Sequence, residues 1–274
     1  MTTDIDVPDP ADFLAVDGLL DDEERAVRDR VRDYARTELA PQVSDRYESG
    51  AIPTAELAAG FARLGLLGMH LQGCRCPGAS AVAYGLACRE LEAVDSGLRS
   101  FVSVQGSLAM FALHRWGSAD QKNDWLPRMA AGEALGCFAL TEPDAGSDPA
   151  SMGTTARRAG GDWVLDGAKR WSTNGTVADV AVVWADTEEG VRGFVVLTDT
   201  PGFIANPQAL PARLGERRAC LRQPATARVG RPTGGERPQG APELPRRGAL
   251  RNPLGRSRGG SRLLRGSAGL HRGA

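Results

Sequence analysis

No run of apolar residues in this 274-residue chain approaches the roughly 20 that a membrane-spanning helix needs, and no membrane partner is expected. Cysteine is sparse. Cys74, Cys76, Cys88, Cys137 and Cys220 show no paired framework and no secretory segment precedes them, so a reducing, cytoplasmic compartment is expected. Cys74-x-Cys76 has only His70 as a close companion and no second pair nearby, which favours free thiols over a metal site. The opening MTTDIDVPDPADF is acidic, unlike an Arg-rich organellar presequence. The fingerprint G-x-G-x-x-G is missing, so a nucleotide cofactor would have to be held by other means.

The net charge of −1 conceals two unlike parts. Residues 216–274 carry 14 Arg against 3 Glu, which leaves residues 1–215 with an acidic excess of 12. Those last 59 residues contain no aromatic residue, Ile, Met, Lys or Asp, while Arg, Gly, Ala and Pro make up 38 of them. Such a segment cannot bury enough apolar surface to offset chain entropy. These four residue types have the most GC-rich codons, and the switch is abrupt and falls within a strand-rich stretch. It therefore reads as a translated frameshift. A disordered tail is the second reading, and a basic nucleic-acid-binding tail the third, disfavoured because no aromatics interleave with the arginines. No nucleic-acid partner is expected.

Ahead of that tail the hydrophobic content, 42% for the whole chain, is enough for a true core. Residues 1–20, with Pro8 and Pro10, read as an extended lead-in. Asp21 and Glu24 form a capping box for a helix with Val27, Val31, Tyr34 and Ala35 on one face, which Pro41 is expected to end. Thr54 starts a second helix with Leu57, Phe61 and Leu64, stopped at Gly65. A third runs from about Ala81 to Asp95, and a fourth, 98–116, is apolar almost all round and predicted to be central and buried. Ser118-x-x-Gln121 opens a fifth that ends near Gly132. Residues 21–132 are thus an α domain. The segments 135–141, 153–158, 163–173, 179–186 and 192–198 are bounded by Gly, Asp, Asn or Pro and rich in Val, Thr and Trp, so 133–213 is a β domain, with Gly160-Gly161-Asp162 as a hairpin turn. No helical pattern separates the strands, which predicts an antiparallel sheet or small barrel. The fold class is α+β, and 214–274 is the tail.

The stretch Cys137–Pro149, CFALTEPDAGSDP, carries the chemistry. Its apolar start has β character. Pro143 then restrains Glu142 to extended geometry, and a loop of small residues follows. Gly146 permits close approach, and the backbone N–H groups with the Thr141 and Ser147 hydroxyls could face an anion. A plain β-turn and a phosphate or cofactor loop both fit that composition. Downstream lies Trp171-Ser172-Thr173-Asn174.

Together these strings resemble the two halves of the flavin-binding signature of the acyl-CoA dehydrogenase family, in order and both in β context. Over about residues 20–213 the chain is similar to that family. ELEAVDSGLRSFVSVQGSLAM at 90–110 carries a narrower resemblance to the glutaryl-CoA type. The resemblance implies a helical domain, a β domain and a C-terminal helical bundle, of which the third is missing here. It implies FAD as cofactor, held by Phe138, Ala139, Leu140, Thr141, Gly146, Ser147, Trp171, Ser172 and Thr173, with Trp171 packing on the ring and Thr173 near its N5 edge. It also implies an acyl-CoA substrate, with Ser147 beside its chain. Arg99 and Ser100 would receive the distal carboxylate of glutaryl-CoA, and Glu92, two helical turns back, would join them. Read without the family, Trp171 is an ordinary core aromatic, and Arg99 and Glu92 are solvated surface charges.

The chemistry so implied is loss of an α-proton to a carboxylate base and transfer of the β-hydrogen to flavin, followed in the glutaryl type by loss of CO2 and release of crotonyl-CoA. An electron-transferring flavoprotein and a homotetramer are the family's partners. The family's catalytic glutamate belongs to the C-terminal bundle, and no position of this chain matches it. Three readings stand: a glutaryl-CoA-type dehydrogenase recorded as a truncated or frameshifted copy, a non-catalytic remnant that binds flavin or CoA thioester, and a short-chain acyl-CoA dehydrogenase.

Overall fold

The Asp21 carboxylate accepts the Glu24 N–H at 2.8 Å and Glu24 Oε2 accepts the Asp21 N–H at 3.2 Å, closing the capping box that the sequence predicts. It opens α1 (Asp22–Tyr34), which buries Val27 and Val31. The structure is a computed structural model that describes residues 12, 15–50, 52–208 and 218–221. Most of the lead-in and nearly all of the Arg/Gly/Pro-rich tail lie outside the described residues. Pro41 does not end the first helix. The chain passes through a π turn (Ala35–Leu39) into a 3-10 turn (Ala40–Gln42), where Pro41 sits at the first positions and its missing N–H goes unneeded. It continues as α2 (Val43–Ser49) until Gly50 turns left-handed at φ 62°.

Five further α-helices among the described residues complete the layer. α3 (Thr54–Arg63) buries Leu57 and Phe61, and Gly65 follows it with φ 69°. α4 (Ala81–Glu92) starts at the Ser80 hydroxyl, which accepts the Ala83 N–H at 3.0 Å. It packs on α1, where Arg32 grips Glu90 through Nε at 2.9 Å and a terminal amino group at 3.1 Å. The expected central helix is continuous but composite. α5 (Ser96–Ser103) leads through a π segment (Val104–Met110) into α6 (Phe111–Trp116). Its inner face buries Phe101, Val102, Gln105, Ala109, Met110 and Leu113. α7 (Ala119–Ala130) begins at the predicted Ser118–Gln121 box. Among the described residues no helix is long and apolar enough to cross a membrane.

Between α3 and α4 the loop holds a small hairpin, β1 (Gln72–Gly73) with β2 (Cys76–Pro77). The main sheet runs β3 (Gly136–Ala139), β6 (Val180–Ala185), β7 (Arg192–Leu197). β4 (Thr155–Ala159) and β5 (Asp162–Asp166) form the hairpin expected at Gly160-Gly161. β8 (Ala205–Gln208) pairs with β9 (Arg218–Leu221). Two expectations need correction. β3 and β6 pair in parallel, so the domain is mixed rather than purely antiparallel, and the sheets do not close into a barrel. The crossover that parallel pairing demands is supplied by the β4–β5 hairpin instead of a helix. The long strand expected at 163–173 stops at Asp166, where Gly167 follows with φ 155°, and within the rest of that span Trp171 takes a φ of 63° that no strand accommodates.

β6 explains how the layers stack. Strand side chains alternate between faces. Val180, Val182 and Trp184 join the helical core, while Ala181, Val183 and Ala185 join Trp163, Leu165, Phe194 and Val196 beneath the hairpin. The sheet is therefore buried on both faces, and all six residues of β6 are buried.

Candidate functional site

β3 aims the first half of the signature. Cys137 and Ala139 point into the core under the hairpin, and Phe138 and Leu140 are half-buried against the helical core. Phe138 packs on Trp184, with ring centroids 6.0 Å apart. Beyond Leu140 the chain turns, with the Glu142 N–H donating to the Ala145 carbonyl at 2.9 Å. Gly146 and Ser147 are exposed and Thr141 is half-buried. A Cβ at Gly146 would meet nothing within 4 Å, so the space beside it is open to an approaching group.

The second half lies directly alongside. The Thr141 carbonyl accepts the Arg170 N–H at 2.7 Å, and the Leu140 carbonyl accepts from Lys169 Nζ at 3.1 Å. Trp171 is held in the left-handed region, which is unfavourable for a bulky residue. The residue is 47% exposed, so Trp171 is not an interior aromatic. The Arg170 guanidinium lies 4.8 Å from its ring centroid. Ser172 and Asn174 are buried, and Ser172 Oγ and Asn174 Nδ2 have no partner among the described residues. Thr173 is half-buried. A presented indole, hydroxyls on both arms and unpaired polar atoms behind one of them fit a planar aromatic cofactor with hydrogen-bonding edges.

The carboxylate-binding candidates meet at the corner between α4 and α5. Glu92 and Arg99 are not on one helix, since α4 ends at Glu92 and Asp95 caps α5, accepting from the Gly97 and Leu98 N–H groups at 2.8 and 3.3 Å. The corner nonetheless brings them together, with Arg99 Nε donating to Glu92 Oε2 at 2.6 Å. That hydrogen bond raises the Arg99 pKa. Both remain accessible, at 37% and 48% exposure, and Ser100 beside them is half-buried. The two terminal amino groups of Arg99 form no hydrogen bond among the described residues. Tyr84, two turns before Glu92, donates to or accepts from the Ser107 hydroxyl at 2.7 Å and packs at a tilt of 43° on His70, its centroid 4.8 Å from the imidazole's.

Two elements of this arrangement escape a sequence reading. Gln105, fully buried in the π segment, accepts the Gly136 N–H at 2.8 Å and donates to the Ala134 carbonyl at 2.9 Å. It fixes β3, and with it the signature loop, to the helix that carries Arg99. Lys169 and Glu142 form a buried pair at 2.7 Å between the two arms. One signal for Lys169 was available, because Lys122 is the only other lysine among 33 basic residues.

A helical layer packed on a mixed sheet, with a signature loop leaving the first strand of that sheet beside a second loop that presents a tryptophan, defines an α+β protein. Residues 21–133 match the acyl-CoA dehydrogenase N-terminal domain and residues 137–223 match its middle domain. The chain belongs to the acyl-CoA dehydrogenase family. It is similar to the mitochondrial short-chain specific acyl-CoA dehydrogenase of Mus musculus, 36% identical over 183 residues, covering 65% of this chain and 44% of that one. An acyl-CoA dehydrogenase of Bacillus subtilis (strain 168) is 34% identical over 187 residues, covering 66% and 49%. Among solved structures, a glutaryl-CoA dehydrogenase from Mycobacterium smegmatis in complex with FADH2 is 54% identical with a TM-score of 0.74, covering 81% of this chain and 59% of that one. The chain thus spans under half to about three-fifths of the length of these relatives.

Proposed function

We propose that this chain carries the flavin- and acyl-binding part of an FAD-dependent acyl-CoA dehydrogenase acting on a dicarboxylyl thioester of the glutaryl-CoA kind. The observation that carries the reading is Arg99. Glu92 occupies its Nε, which fixes the guanidinium plane and leaves the terminal amino groups for a second carboxylate, the bidentate edge such a ligand needs. Ser100 and Ser147 add hydroxyls for the acyl group. Phe138 to Leu140 would flank the cofactor, and Thr141, Gly146, Ser147, Trp171, Ser172 and Thr173 would hold it. FAD, when bound, would supply the acceptor for the β-hydrogen of the thioester. The FADH2 complex of the Mycobacterium smegmatis protein supports this cofactor. We assign no catalytic base among the described residues. An electron-transferring flavoprotein is the proposed electron acceptor, a homotetramer the proposed assembly and the cytoplasm the proposed location.

A second reading, a short neutral acyl group, is supported by the 36% identity to the short-chain specific relative. Titrating the FAD-loaded chain with glutaryl-CoA and with butyryl-CoA, and following the visible flavin spectrum, separates the two. The glutaryl reading expects tighter binding of glutaryl-CoA by at least about tenfold, or ~1.4 kcal/mol, and loss of that preference in Arg99→Ala. Equal affinities in the parent chain would establish the short-chain reading. Failure to take up FAD would leave neither.

A further inference from the structure

The ammonium of Lys169 sits where charge is expensive. Its side chain is 1% exposed, and that of its partner Glu142 is 7%. Lys169 Nζ donates to Glu142 Oε1 at 2.7 Å and to the Leu140 carbonyl at 3.1 Å, with Met152 Sδ at 4.0 Å. The same carboxylate accepts the Thr154 N–H at 2.9 Å and the Gly153 N–H at 2.5 Å. Each oxygen is thus engaged, and a point charge with three donors suits the space better than a planar guanidinium would. Burial alone would raise the Glu142 pKa, but these donors outweigh it and hold it below its ordinary value.

Consecutive residues of one arm are held by consecutive residues of the other. Lys169 binds Leu140 and Glu142, and Arg170 binds the Thr141 between them at 2.7 Å. Behind this join the backbones nearly touch, since a Cβ on Gly167 would lie 2.6 Å from Thr154 Cα. Next to it in the chain come Thr141 and Ser147 on one arm and Trp171 and Thr173 on the other. A buried pair is weak evidence for stability, because neutral residues of similar size often replace one without loss. Its location argues for geometry.

We propose that Lys169 and Glu142 are positioning residues for the flavin site, setting arm 141–147 against arm 171–174 so that the Thr141 and Thr173 hydroxyls and the Trp171 ring address one ring system. The proposal rests on the flavin-binding reading above.

The test uses the full chain, added FAD and two variants, E142Q/K169M and E142Q alone. The dissociation constant comes from quenching of flavin fluorescence, and the geometry from the visible circular dichroism of bound flavin. The double variant is expected to fold with the near-ultraviolet spectrum of the flavin-free parent, to bind FAD at least tenfold more weakly and to change the visible band. E142Q, whose one amide oxygen can accept from either the Gly153 or the Thr154 N–H and which leaves Lys169 without its carboxylate, is expected to shift both in the same direction, and carries the comparison should the double variant fail to fold. A pair serving stability alone would reduce the fraction of chains that bind, not the affinity or spectrum of those that do. Parent-like affinity and spectrum in the folded variants overturn the positioning role and leave the flavin reading standing. A parent chain that takes up no FAD overturns both.

Discussion

The Gln105 side chain accepts the Gly136 N–H at 2.8 Å and donates to the Ala134 carbonyl at 2.9 Å, at a point with no exposure to solvent. One amide therefore satisfies two backbone groups just where the chain leaves the helical layer to begin β3. Gln105→Ala would leave a buried donor and a buried acceptor unmade, at about 1–3 kcal/mol each before relaxation. We expect a loss of about 3 kcal/mol in urea unfolding with an unchanged slope. A loss below 1 kcal/mol would mean that water replaces the amide.

Gly136 is also closed to a side chain. A Cβ there would fall 2.8 Å from Ala109 Cβ and 2.6 Å from Met129 Cε. The methionine tip can swing aside, but the alanine methyl is fixed to the central helix. Gly136→Ala should therefore destabilise the chain by about 1–3 kcal/mol through overpacking. Combined with Gln105→Ala the two effects should fall short of additive, since both disturb the same helix-to-strand contact. Strict additivity in a double-mutant cycle would refute that coupling.

Acid should unfold this chain partly through two buried carboxylates. Burial would raise the Glu90 pKa, but the hydrogen bonds from Arg32 and Arg89 outweigh it and place it below the ordinary 4.5. Glu142 is lowered in the same way. For a group with a depressed folded pKa the unfolded chain binds more protons, so its stabilisation is complete above the unfolded value and is lost as pH falls through the folded one. Stability should therefore decline from about pH 5 downward. Glu90→Gln should lower stability at pH 7 and flatten that decline. An unchanged pH slope in Glu90→Gln would exclude Glu90 as a contributor.

Cys137 is buried under the β4–β5 hairpin, and desolvation pushes its thiol up to about 12. Because the thiolate is the reactive form, alkylation at neutral pH should be blocked in the folded chain and appear only on unfolding. Half-buried Cys74 should react before Cys76, Cys88 and Cys137, whose thiols burial pushes up. Rapid native labelling of Cys137 would show that the sheet does not hold its hairpin.

What was legible in the sequence follows from distance along the chain. Both capping boxes and the Gly160-Gly161 turn are local devices, and each appears where three or four neighbouring residues predicted it. The π segment at Val104–Met110 was hidden because i→i+5 bonding has no residue signature. Parallel pairing of β3 with β6 was missed because it joins strands more than 40 residues apart, and only the three-dimensional path of the hairpin decides it. The candidate site divides in the same way. The two signature strings were readable, and so were the break between the two helices and the pairing of Arg99 with Glu92, although a corner rather than two helical turns brings that pair together. The Lys169–Glu142 join spans 27 residues, and nothing beside either residue announces the other.

Trp171 offers the cleanest separation of strain from function. Its φ of 63° costs an L-residue roughly 1–2 kcal/mol relative to a right-handed conformation, whereas glycine adopts it freely. Trp171→Ala removes the ring and keeps the strain, while Trp171→Gly removes both. The glycine variant should therefore be the more stable of the two by about 1 kcal/mol, reversing the usual order of alanine over glycine. Both should lose flavin affinity to a similar extent if the exposed indole is what the cofactor packs on. Equal stabilities would mean that the backbone relaxes once the ring is gone. In that case the ring itself, stacked beside Arg170, holds the turn in its left-handed form.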